Sequence, residues 1–373
     1  MHIAIEASLL LHERRGIGRY VRALLRAMPT VRSDVRYTMY ARAPDVEALR
    51  AQLASDEEIA SRAVVEPLDR LTSTQADVVW YPWNWITHPT ASAPMVVSVM
   101  DLAPMLRFDH RWWKFIKRRR ARGRSVRTMR MAARVLTISE FSASELTRLL
   151  GVPRDRMRVT LLAADDFTAA PRAESETLAK LGVTGPFVLA AGADEARKNL
   201  AVLFRAMTRL SGLGVDVPLV LCGPGKRLLR QARRHAAPWL RYAGYVSDAE
   251  LATLYAKTAA LVFPSRYEGF GLPVLEAMTA GAPVVCAKAS SLPEVAGDAA
   301  LYFYPDDDAG LADQLGHLLR DDSVGARLRA AGLEQARRFS WRRCAGDTLL
   351  GLEEGAAARS LQYNGAQRGR RAD

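Results

Sequence analysis

The sequence predicts an α/β fold made of two doubly wound domains, and three observations carry this prediction. Short, continuous apolar runs alternate with helical patterns along the chain, which is typical of parallel strands covered by helices on both faces. Several of these runs end in glycine, as at Gly192 and Gly223. The pattern restarts after residues 165–174, so the chain of 373 residues divides into two halves of similar design.

Each half opens on a strand, and helices and strands then alternate. The first half begins with a strand over 2–7, a glycine loop at Gly16 and Gly18, and a helical pattern to Met28. Further strands are predicted at 77–81, 95–99 and 134–138 in the first half, and at 187–192, 218–223, 259–263 and 282–286 in the second. Ser139 or Ser142 is placed to cap a helix that ends near Leu150.

These patterns set the expected domain boundaries. We expect an N-terminal domain over 1–168 and a C-terminal domain over 172–340, with a helix over about 340–358 that packs back on the first domain and a disordered tail over 359–373. Ligands of doubly wound sheets bind outside the carboxyl ends of the strands. The glycines that end the strands therefore indicate where a ligand site lies, with the two domains facing a cleft.

The charge of the chain is concentrated in one segment. The sequence has 53 basic and 40 acidic side chains, a net charge of +13, and residues 111–134 hold 11 Lys and Arg with no Asp or Glu. Subtracting these 11 leaves only +2 for the rest. Because Trp112 and Trp113 stand beside Lys117, Arg118, Arg119 and Arg120, the segment favours an anionic membrane surface. A solvated helix with inward apolar residues is the alternative, and a nucleic-acid surface fits less well because no nucleic-acid module accompanies it.

Composition also excludes several classes of protein. Apolar residues make up 49% of the chain, which excludes collagen-like and disordered chains. The longest apolar runs are too short to span a bilayer, and the N-terminus lacks the order of a signal peptide. The three cysteines, Cys222, Cys286 and Cys344, show no paired spacing, so we expect neither disulfides nor a zinc cluster, and a reducing cytoplasm.

The segment 265–276 is the most informative motif. It follows a buried strand and enters a helix, with Pro273 suited to the first turn. Gly269 and Gly271 let the backbone approach a ligand closely, and the helix N-terminus presents N–H groups and a positive dipole to a phosphate. Glu276 is expected in the first turn, where it can bind a ribose diol. The alternative is a glycine loop with two surface glutamates.

Glu268 and Glu276 have the spacing of a known signature. The segment resembles the E-x7-E motif of retaining glycosyltransferases of family 4, which have the GT-B fold of two Rossmann-like domains. Other stretches of the chain are similar to motifs of the same family, in the family's order and over about residues 1–350: Gly16-Ile17-Gly18-Arg19-Tyr20, Thr137-Ile138-Ser139-Glu140-Phe141-Ser142, Ala196-Arg197-Lys198-Asn199-Leu200, Gly244-Tyr245-Val246-Ser247-Asp248 and Phe339-Ser340-Trp341.

The resemblance implies roles for individual residues. Glu276 would bind the ribose of a sugar nucleotide, Glu268 would lie near the transferred sugar as a catalytic residue, and Arg197 and Lys198 would contact the diphosphate. Both cations are predicted at a helix start, an unfavourable place for them that suggests an anionic ligand. The other donor-binding candidates are Gly16, Gly18, Gly192, Gly223, Val246, Ser265, Gly269, Phe270, Gly271 and Leu272.

Two features do not follow the family's motifs: one residue differs from them, and one acidic run suggests a metal site instead. Met100 stands before Asp101 where many relatives carry a histidine that binds the donor sugar, and methionine cannot replace that hydrogen bond. Asp101 is therefore the remaining catalytic candidate there. The run Asp306-Asp307-Asp308 contains a spacing that binds metal in another glycosyltransferase fold, but capping of the following helix explains it, and we predict no metal site.

These expectations define a function. The resemblance implies a retaining hexosyltransferase that needs no metal or cofactor and moves a sugar, with GDP-mannose favoured, to a glycan or lipid-linked glycan of a bacterial surface polysaccharide. The expected location is the inner face of the cell membrane, with no nucleic-acid partner. A UDP-sugar-dependent enzyme of the same fold is the first alternative. The alternative of another class, motivated by Met100, is a non-catalytic membrane-associated scaffold.

Overall fold

The computed structural model describes residues 1–13, 16–108, 114–165, 167, 176–192, 195–223 and 237–369, the backbone alone for 114, 176–177 and 359–369. The chain forms two compact units. The first combines Met1–Leu106, Arg111–Leu162 and Trp341–Asp373, and the second combines Arg107–His110 with Ala163–Ser340. Most of the predicted hinge over 165–174 lies outside the described residues.

The described residues of the first unit contain a parallel sheet of seven strands in the order β3-β2-β1-β4-β5-β6-β7. Its strands are β1 (His2–Glu6), β2 (Arg36–Ala41), β3 (Ala63–Pro67), β4 (Val78–Tyr81), β5 (Met95–Val99), β6 (Arg134–Thr137) and β7 (Met157–Val159). Its helices are α1 (Ile17–Val31), α2 (Val46–Ala54), α3 (Glu57–Ala60), α4 (Lys114–Met131) and α5 (Glu140–Leu150). All four residues of β4 are buried, as expected for a strand covered on both faces.

The second unit repeats this design with six parallel strands among its described residues, in the order β10-β9-β8-β11-β12-β13. The strands are β8 (Val188–Ala191), β9 (Leu219–Cys222), β10 (Leu240–Gly244), β11 (Ala260–Phe263), β12 (Val284–Ala287) and β13 (Ala300–Phe303). The helices are α6 (Glu176–Lys180), α7 (Leu200–Gly212), α8 (Asp248–Lys257), α9 (Leu272–Thr279), α10 (Leu292–Ala296), α11 (Asp308–Arg320) and α12 (Asp322–Ala336).

Strand order reverses beside the first strand of each sheet. In the first unit β1 pairs with β2 and β4, and in the second β8 pairs with β9 and β11. At such a reversal the neighbouring loops leave in opposite directions and open a crevice at the carboxyl ends of the strands. The predicted pair of doubly wound, Rossmann-like units is therefore confirmed, and each has its crevice beside its first strand.

The C-terminal helix α13 (Trp341–Gly369) belongs to the first unit, where it packs against α1 and the central strands. Two glycines permit this close approach, because a Cβ atom at Gly351 would lie 2.4 Å from Leu136 Cδ2 and one at Gly355 only 2.3 Å from Val96 Cγ2. The helix continues to Gly369, although we expected it to end near 358 and a disordered tail to follow. No proline interrupts this stretch of the chain.

Side-chain caps account for two of the polar motifs. Ser139 Oγ accepts a hydrogen bond from the Ser142 N–H at 2.9 Å, so Ser139, not Ser142, caps α5. Asp307 caps α11 by accepting from the Gly310 N–H at 2.8 Å, which confirms the capping interpretation of the aspartate run. Among the described residues, no three or more His, Cys, Asp or Glu side chains are grouped to hold a metal ion.

The cationic segment forms the helix α4. Trp112 and Trp113 lie outside the described residues, whereas Lys117, Arg119 and Arg120 are exposed and Arg118 is half-buried. Phe115 and Ile116 are 54% and 58% exposed, so the alternative in which the apolar residues of this segment pack inward is wrong for these two. No described helix is long and apolar enough to cross a membrane.

Candidate functional site

The residues singled out in the second half come together at the crevice of the second sheet. Gly192 follows β8 and leads to Lys198, while Ser265 and Glu268 follow the neighbouring strand β11. Because both strands run parallel, their carboxyl ends meet at the same edge of the sheet. The fold thus brings side chains about 70 positions apart in sequence into one site.

Three charged side chains form the centre of this site. Glu268 Oε1 accepts from Lys198 Nζ at 2.8 Å, and Glu268 Oε2 accepts from Arg197 Nη1 at 2.6 Å. The side chains of all three are only 10–12% exposed. Lys198 Nζ also lies 4.9 Å from the centre of the Phe263 ring, a cation–π contact. We call Arg197, Lys198 and Glu268 the ion cluster.

The protonation states of the ion cluster follow from its composition. Burial alone would raise the pKa of the Glu268 carboxyl, but the charges of Lys198 and Arg197 outweigh burial and hold this pKa below its ordinary value. For Arg197 the effects are reversed. Burial alone would lower the pKa of its guanidinium, but the carboxylates of Glu268 and Glu195 outweigh burial and raise this pKa. Glu268 and Arg197 are thus both charged at neutral pH.

The ion cluster corrects our argument about the two cations. The sequence predicts that Arg197 and Lys198 stand at a helix start, an unfavourable position that suggests an anionic ligand. Instead they form a 3₁₀ turn over Ala196–Lys198 that precedes α7, and the carboxylates of Glu268 and Glu195 together compensate both charges. Their position therefore does not by itself require a ligand, because the chain supplies an anion of its own.

Sequence reasoning missed the residues that hold the two cations in place. Asn199 follows them in the left-handed region at φ 53° and donates to the Pro305 carbonyl at 2.6 Å. Arg266 donates to Asn199 Oδ1 at 3.0 Å and pairs with Asp306. The asparagine of the family motif is the one signal that could have indicated this role, since asparagine adopts left-handed conformations readily.

Two serines position the loop that carries Glu268, and neither was predicted. Ser290 Oγ accepts from the Glu268 N–H at 3.0 Å, and Ser291 Oγ, fully buried, lies within hydrogen-bond distance of the carbonyls of Glu268 and Phe270 at 3.0 and 2.6 Å. Both serines stand between β12 and α10, more than 20 positions from Glu268. Their role depends on the pairing of β12 with β11 and leaves no local signal in the sequence.

Glu276 lies one turn deeper in its helix than expected. Because α9 begins at Leu272, its first turn contains no acidic residue, and Glu276 lies in the second turn. The side chain is buried, and its Oε2 accepts from the Tyr255 hydroxyl at 3.5 Å. The start of α9 has Gly271 as its N-cap with no side-chain cap, and Pro273 in its first turn as predicted. An N-terminus of this kind favours an anion.

The predicted strand-end glycines contact each other. Gly223 has φ +139°, and a Cβ atom there would lie 1.8 Å from the Gly192 carbonyl oxygen. Gly192 in turn faces the Lys198 side chain, with its Cβ position 3.7 Å from Lys198 Cδ and Cε. Glycine is thus required at Gly223 for backbone packing, whether or not a ligand is bound.

Several other candidates have side chains that face the protein core. Val246 and Ser265 are buried, and Phe270 packs edge-to-face on Phe339 with ring centres 5.8 Å apart. Any contact of Gly269, Phe270 and Gly271 with a ligand would therefore use the backbone of this loop, whereas the Leu272 side chain is half-buried. Ser247, from the motif beside Val246, caps α8 in a reciprocal bond with Glu250.

The remaining candidates belong to the first unit. Gly16 is the N-cap of α1, and a Cβ atom at Gly18 would lie 1.6 Å from the Glu13 carbonyl oxygen, so Gly18 is required by its own loop. Asp101 Oδ1 accepts from the Ala103 N–H at 3.0 Å. Met100 is buried, and its N–H donates to Asn84 Oδ1 at 2.5 Å. These loops follow β1, β4 and β5 at the carboxyl edge of the first sheet.

Solved structures share the architecture of this chain. Sucrose-phosphate synthase from Thermosynechococcus elongatus matches with a TM-score of 0.73 at 18% identity, over 98% of this chain and 100% of that one. HepE from Anabaena in complex with UDP-glucose matches with a TM-score of 0.70 at 19% identity, over 94% of this chain and 100% of that one. The fold class is therefore GT-B, with two Rossmann-like units.

Sequence comparison places the ion cluster within a known family model. Residues 185–321, which contain Arg197, Lys198, Glu268 and Glu276, match the model described as Glycosyl transferases group 1. The chain is 40% identical over 229 residues to O-antigen chain mannosyltransferase B from Escherichia coli, over 58% of this chain and 59% of that protein. It is 31% identical over 257 residues to MMP alpha-(1->4)-mannosyltransferase from Mycolicibacterium hassiacum, over 66% of this chain and 59% of that protein. The chain thus spans about three fifths of the length of each of these two relatives.

Proposed function

We propose that this chain is a retaining hexosyltransferase of the family 4 type, which transfers a sugar from a nucleoside diphosphate sugar to a glycan or lipid-linked glycan in bacterial surface polysaccharide synthesis. The observation that carries the proposal is the ion cluster at the carboxyl edge of the second sheet, inside the segment that matches the glycosyltransferase model. The names of the two relatives as mannosyltransferases support the same class.

The chemistry of the proposed reaction suits the cluster. The bond between the sugar C1 and the phosphate oxygen breaks, a bond to the acceptor oxygen forms on the same face, and the acceptor proton passes to the leaving phosphate. Negative charge grows on the diphosphate, where Arg197, Lys198 and the uncapped start of α9 would stabilise it. Burial strengthens these interactions because little water screens them.

The proposed contacts of Glu276, Glu268 and Asp101 follow from where these residues lie in the fold. Glu276, buried in the second turn of α9, is proposed to bind the ribose, and Glu268 to contact the transferred sugar. Asp101, at the carboxyl edge of the first sheet, is proposed as a further polar contact of the reacting sugars. We favour GDP-mannose as donor because both relatives named above are mannosyltransferases; a UDP-sugar is the alternative, since HepE was solved with UDP-glucose.

A nucleotide panel tests the proposal. We expect either GDP or UDP, but not the corresponding monophosphates, to raise the thermal unfolding temperature of the protein. Since Glu276 is proposed to bind the ribose, Glu276→Ala should remove this shift. Glu334→Ala, which removes a 73% exposed carboxylate of α12, is a control that should keep the shift. Thermal unfolding with each nucleotide at saturating concentration measures the effect.

The panel also separates enzyme from scaffold. No shift with any nucleotide would contradict the proposed enzyme and favour the non-catalytic scaffold. A shift that survives in Glu276→Ala would contradict the ribose contact only. Measured transfer or donor hydrolysis would exclude the scaffold.

We further propose that α4 binds the anionic inner face of the cell membrane. The described cations of this helix have no acidic neighbour within it, and Phe115 and Ile116 are exposed beside them. Each Lys or Arg near an anionic lipid surface contributes about 1 kcal/mol. This placement would bring the enzyme to a lipid-linked acceptor.

Vesicle binding tests this placement. Replacing Arg118, Arg119 and Arg120 by alanine is expected to weaken binding to phosphatidylglycerol-containing vesicles at least about tenfold, since three cations are removed. The matched control replaces Arg327, Arg337 and Arg338, three exposed arginines of the second unit. Sedimentation with vesicles over a salt series measures the binding. Equal losses for the two triple variants would contradict a specific role of α4.

A further inference from the structure

The ion cluster contains an anion before any substrate is considered. Glu268 uses both carboxylate oxygens, one for Lys198 and one for Arg197, at 2.8 and 2.6 Å. Arg197 has a second, more exposed carboxylate partner in Glu195, at 2.5 Å. Within the described part of the chain, Lys198 forms no other ion pair than the one with Glu268.

Loss of the Glu268 carboxylate would leave Lys198 poorly compensated. Its ammonium would retain the face of the Phe263 ring at 4.9 Å, in a position where the side chain is 11% exposed. A buried cation without a counter-ion is strongly unfavourable. The site therefore needs an anion at the position that Glu268 occupies, and the chain provides one.

A diphosphate bound at this site would use the same kind of N–H donors that now bind the Glu268 carboxylate. Phosphate oxygens and carboxylate oxygens both form short, charge-assisted hydrogen bonds with guanidinium and ammonium groups. Lys198 and Arg197 converge on one carboxylate, so a diphosphate that binds at their point of convergence competes with Glu268 for the bonds that it now makes. Binding at this site is therefore an exchange of anions.

We propose that Glu268 is an internal counter-ion of the diphosphate site: it holds Arg197 and Lys198 in position and is displaced from them when the diphosphate binds. The inference rests on the proposed function, because it takes the anion to be that of a nucleoside diphosphate. The exchange lowers the affinity for the diphosphate. It also assists release of the nucleoside diphosphate product, because Glu268 pairs again with both cations as the product leaves.

Titration calorimetry with GDP, UDP and inorganic pyrophosphate tests this exchange. In Glu268→Gln the competing charge is gone, and the Kd of the diphosphate that binds the wild type is expected to fall by roughly tenfold, equivalent to about 1.4 kcal/mol. Glu268→Asp keeps the charge, but its shorter side chain reaches the two cations less well. Its Kd should therefore lie between those of the wild type and of Glu268→Gln. The control Glu334→Gln removes a 73% exposed carboxylate of the same unit and should not change the Kd.

The results separate the inference from the proposed function. Tighter binding by both Glu268 variants, measured against Glu334→Gln, supports the internal counter-ion. If the wild type binds a nucleoside diphosphate and both variants bind it equally or more weakly, the counter-ion is refuted and the proposed function stands. If neither the wild type nor the variants bind any of the three ligands, both are refuted. Should Glu268→Gln fail to fold, Glu268→Asp alone decides.

Discussion

Replacing Lys198 by methionine is expected to lower the kcat of sugar transfer by roughly a hundredfold to a thousandfold, the effect of removing one preorganised group that stabilises charge in a transition state. Lys198 is 11% exposed and pairs with Glu268, in a place where the departing diphosphate would develop its charge. Methionine has a similar length but no charge. The enzyme would thus lose electrostatic stabilisation with little change in packing.

The folded state should survive this substitution. Glu268 keeps its bond to Arg197 at 2.6 Å, so no buried carboxylate is left without a cation. Lys257→Met is the matched control, because Lys257 is exposed at the end of α8 and precedes β11, at the opposite edge of the sheet from Lys198. Steady-state transfer with the donor that the nucleotide panel identifies measures kcat. A kcat for Lys198→Met within a few-fold of that of Lys257→Met would contradict the role assigned to this cation.

Replacing Gly223 by alanine is expected to destabilise the second unit by about 3 kcal/mol or more, through overpacking and backbone strain together. The new Cβ would lie 1.8 Å from the Gly192 carbonyl oxygen, and alanine disfavours φ +139°. The Gly192 carbonyl belongs to the backbone and the new Cβ would be attached directly to the backbone, so neither atom can turn away as the end of a flexible side chain can. The N–H of Gly223 also donates to the Gly244 carbonyl at 2.7 Å, which ties the glycine to the neighbouring strand.

Chemical or thermal unfolding measures this effect. For a unit of this size each kcal/mol lowers the melting temperature by about 2–4 °C, so a decrease of roughly 6–12 °C or more is expected. Gly212→Ala is the control: apart from its chain neighbours and the backbone of its own helix, no atom of the described residues lies within 4 Å of its Cβ position, and it stands in the last turn of α7. Alanine there should be neutral or stabilise by up to about 1 kcal/mol. Similar melting temperatures for the two variants would show that the strands can separate to admit the methyl group.

Much of the fold could be predicted because its signals are local. A strand buried on both faces must be apolar throughout, so β4, β8 and β11 stand out as short apolar runs between helical patterns. Ser139 and Asp307 indicate helix starts because a cap satisfies N–H groups only two or three residues away. By contrast, the C-terminal helix runs further than expected, since no proline after Trp341 marks its end.

Which candidate residues the fold brings together could be predicted in part from the sequence, but their hydrogen-bond partners could not. The spacing of Glu268 and Glu276, together with the glycines between them, indicated the loop and helix that carry them. The ion pairs of Glu268, the bond from Tyr255 to Glu276 and the support of the loop by Ser290 and Ser291 were not foreseen. Each joins residues from different strands or helices, so no periodicity or spacing reports it.

The sequence by itself determined the doubly wound architecture, the glycine-bounded loops and the residue types at the edge proposed to bind phosphate, because strand burial, capping and left-handed turns depend on near neighbours. Only the tertiary structure decided that Arg197 and Lys198 share one carboxylate. It also decided that Gly223 is packed on Gly192 and that Phe115 and Ile116 are left exposed on α4. For the first two, the physical reason is the strand order: the pairing of β8 with β11 joins loops about 70 residues apart in the chain, and its pairing with β9 joins loops about 30 residues apart.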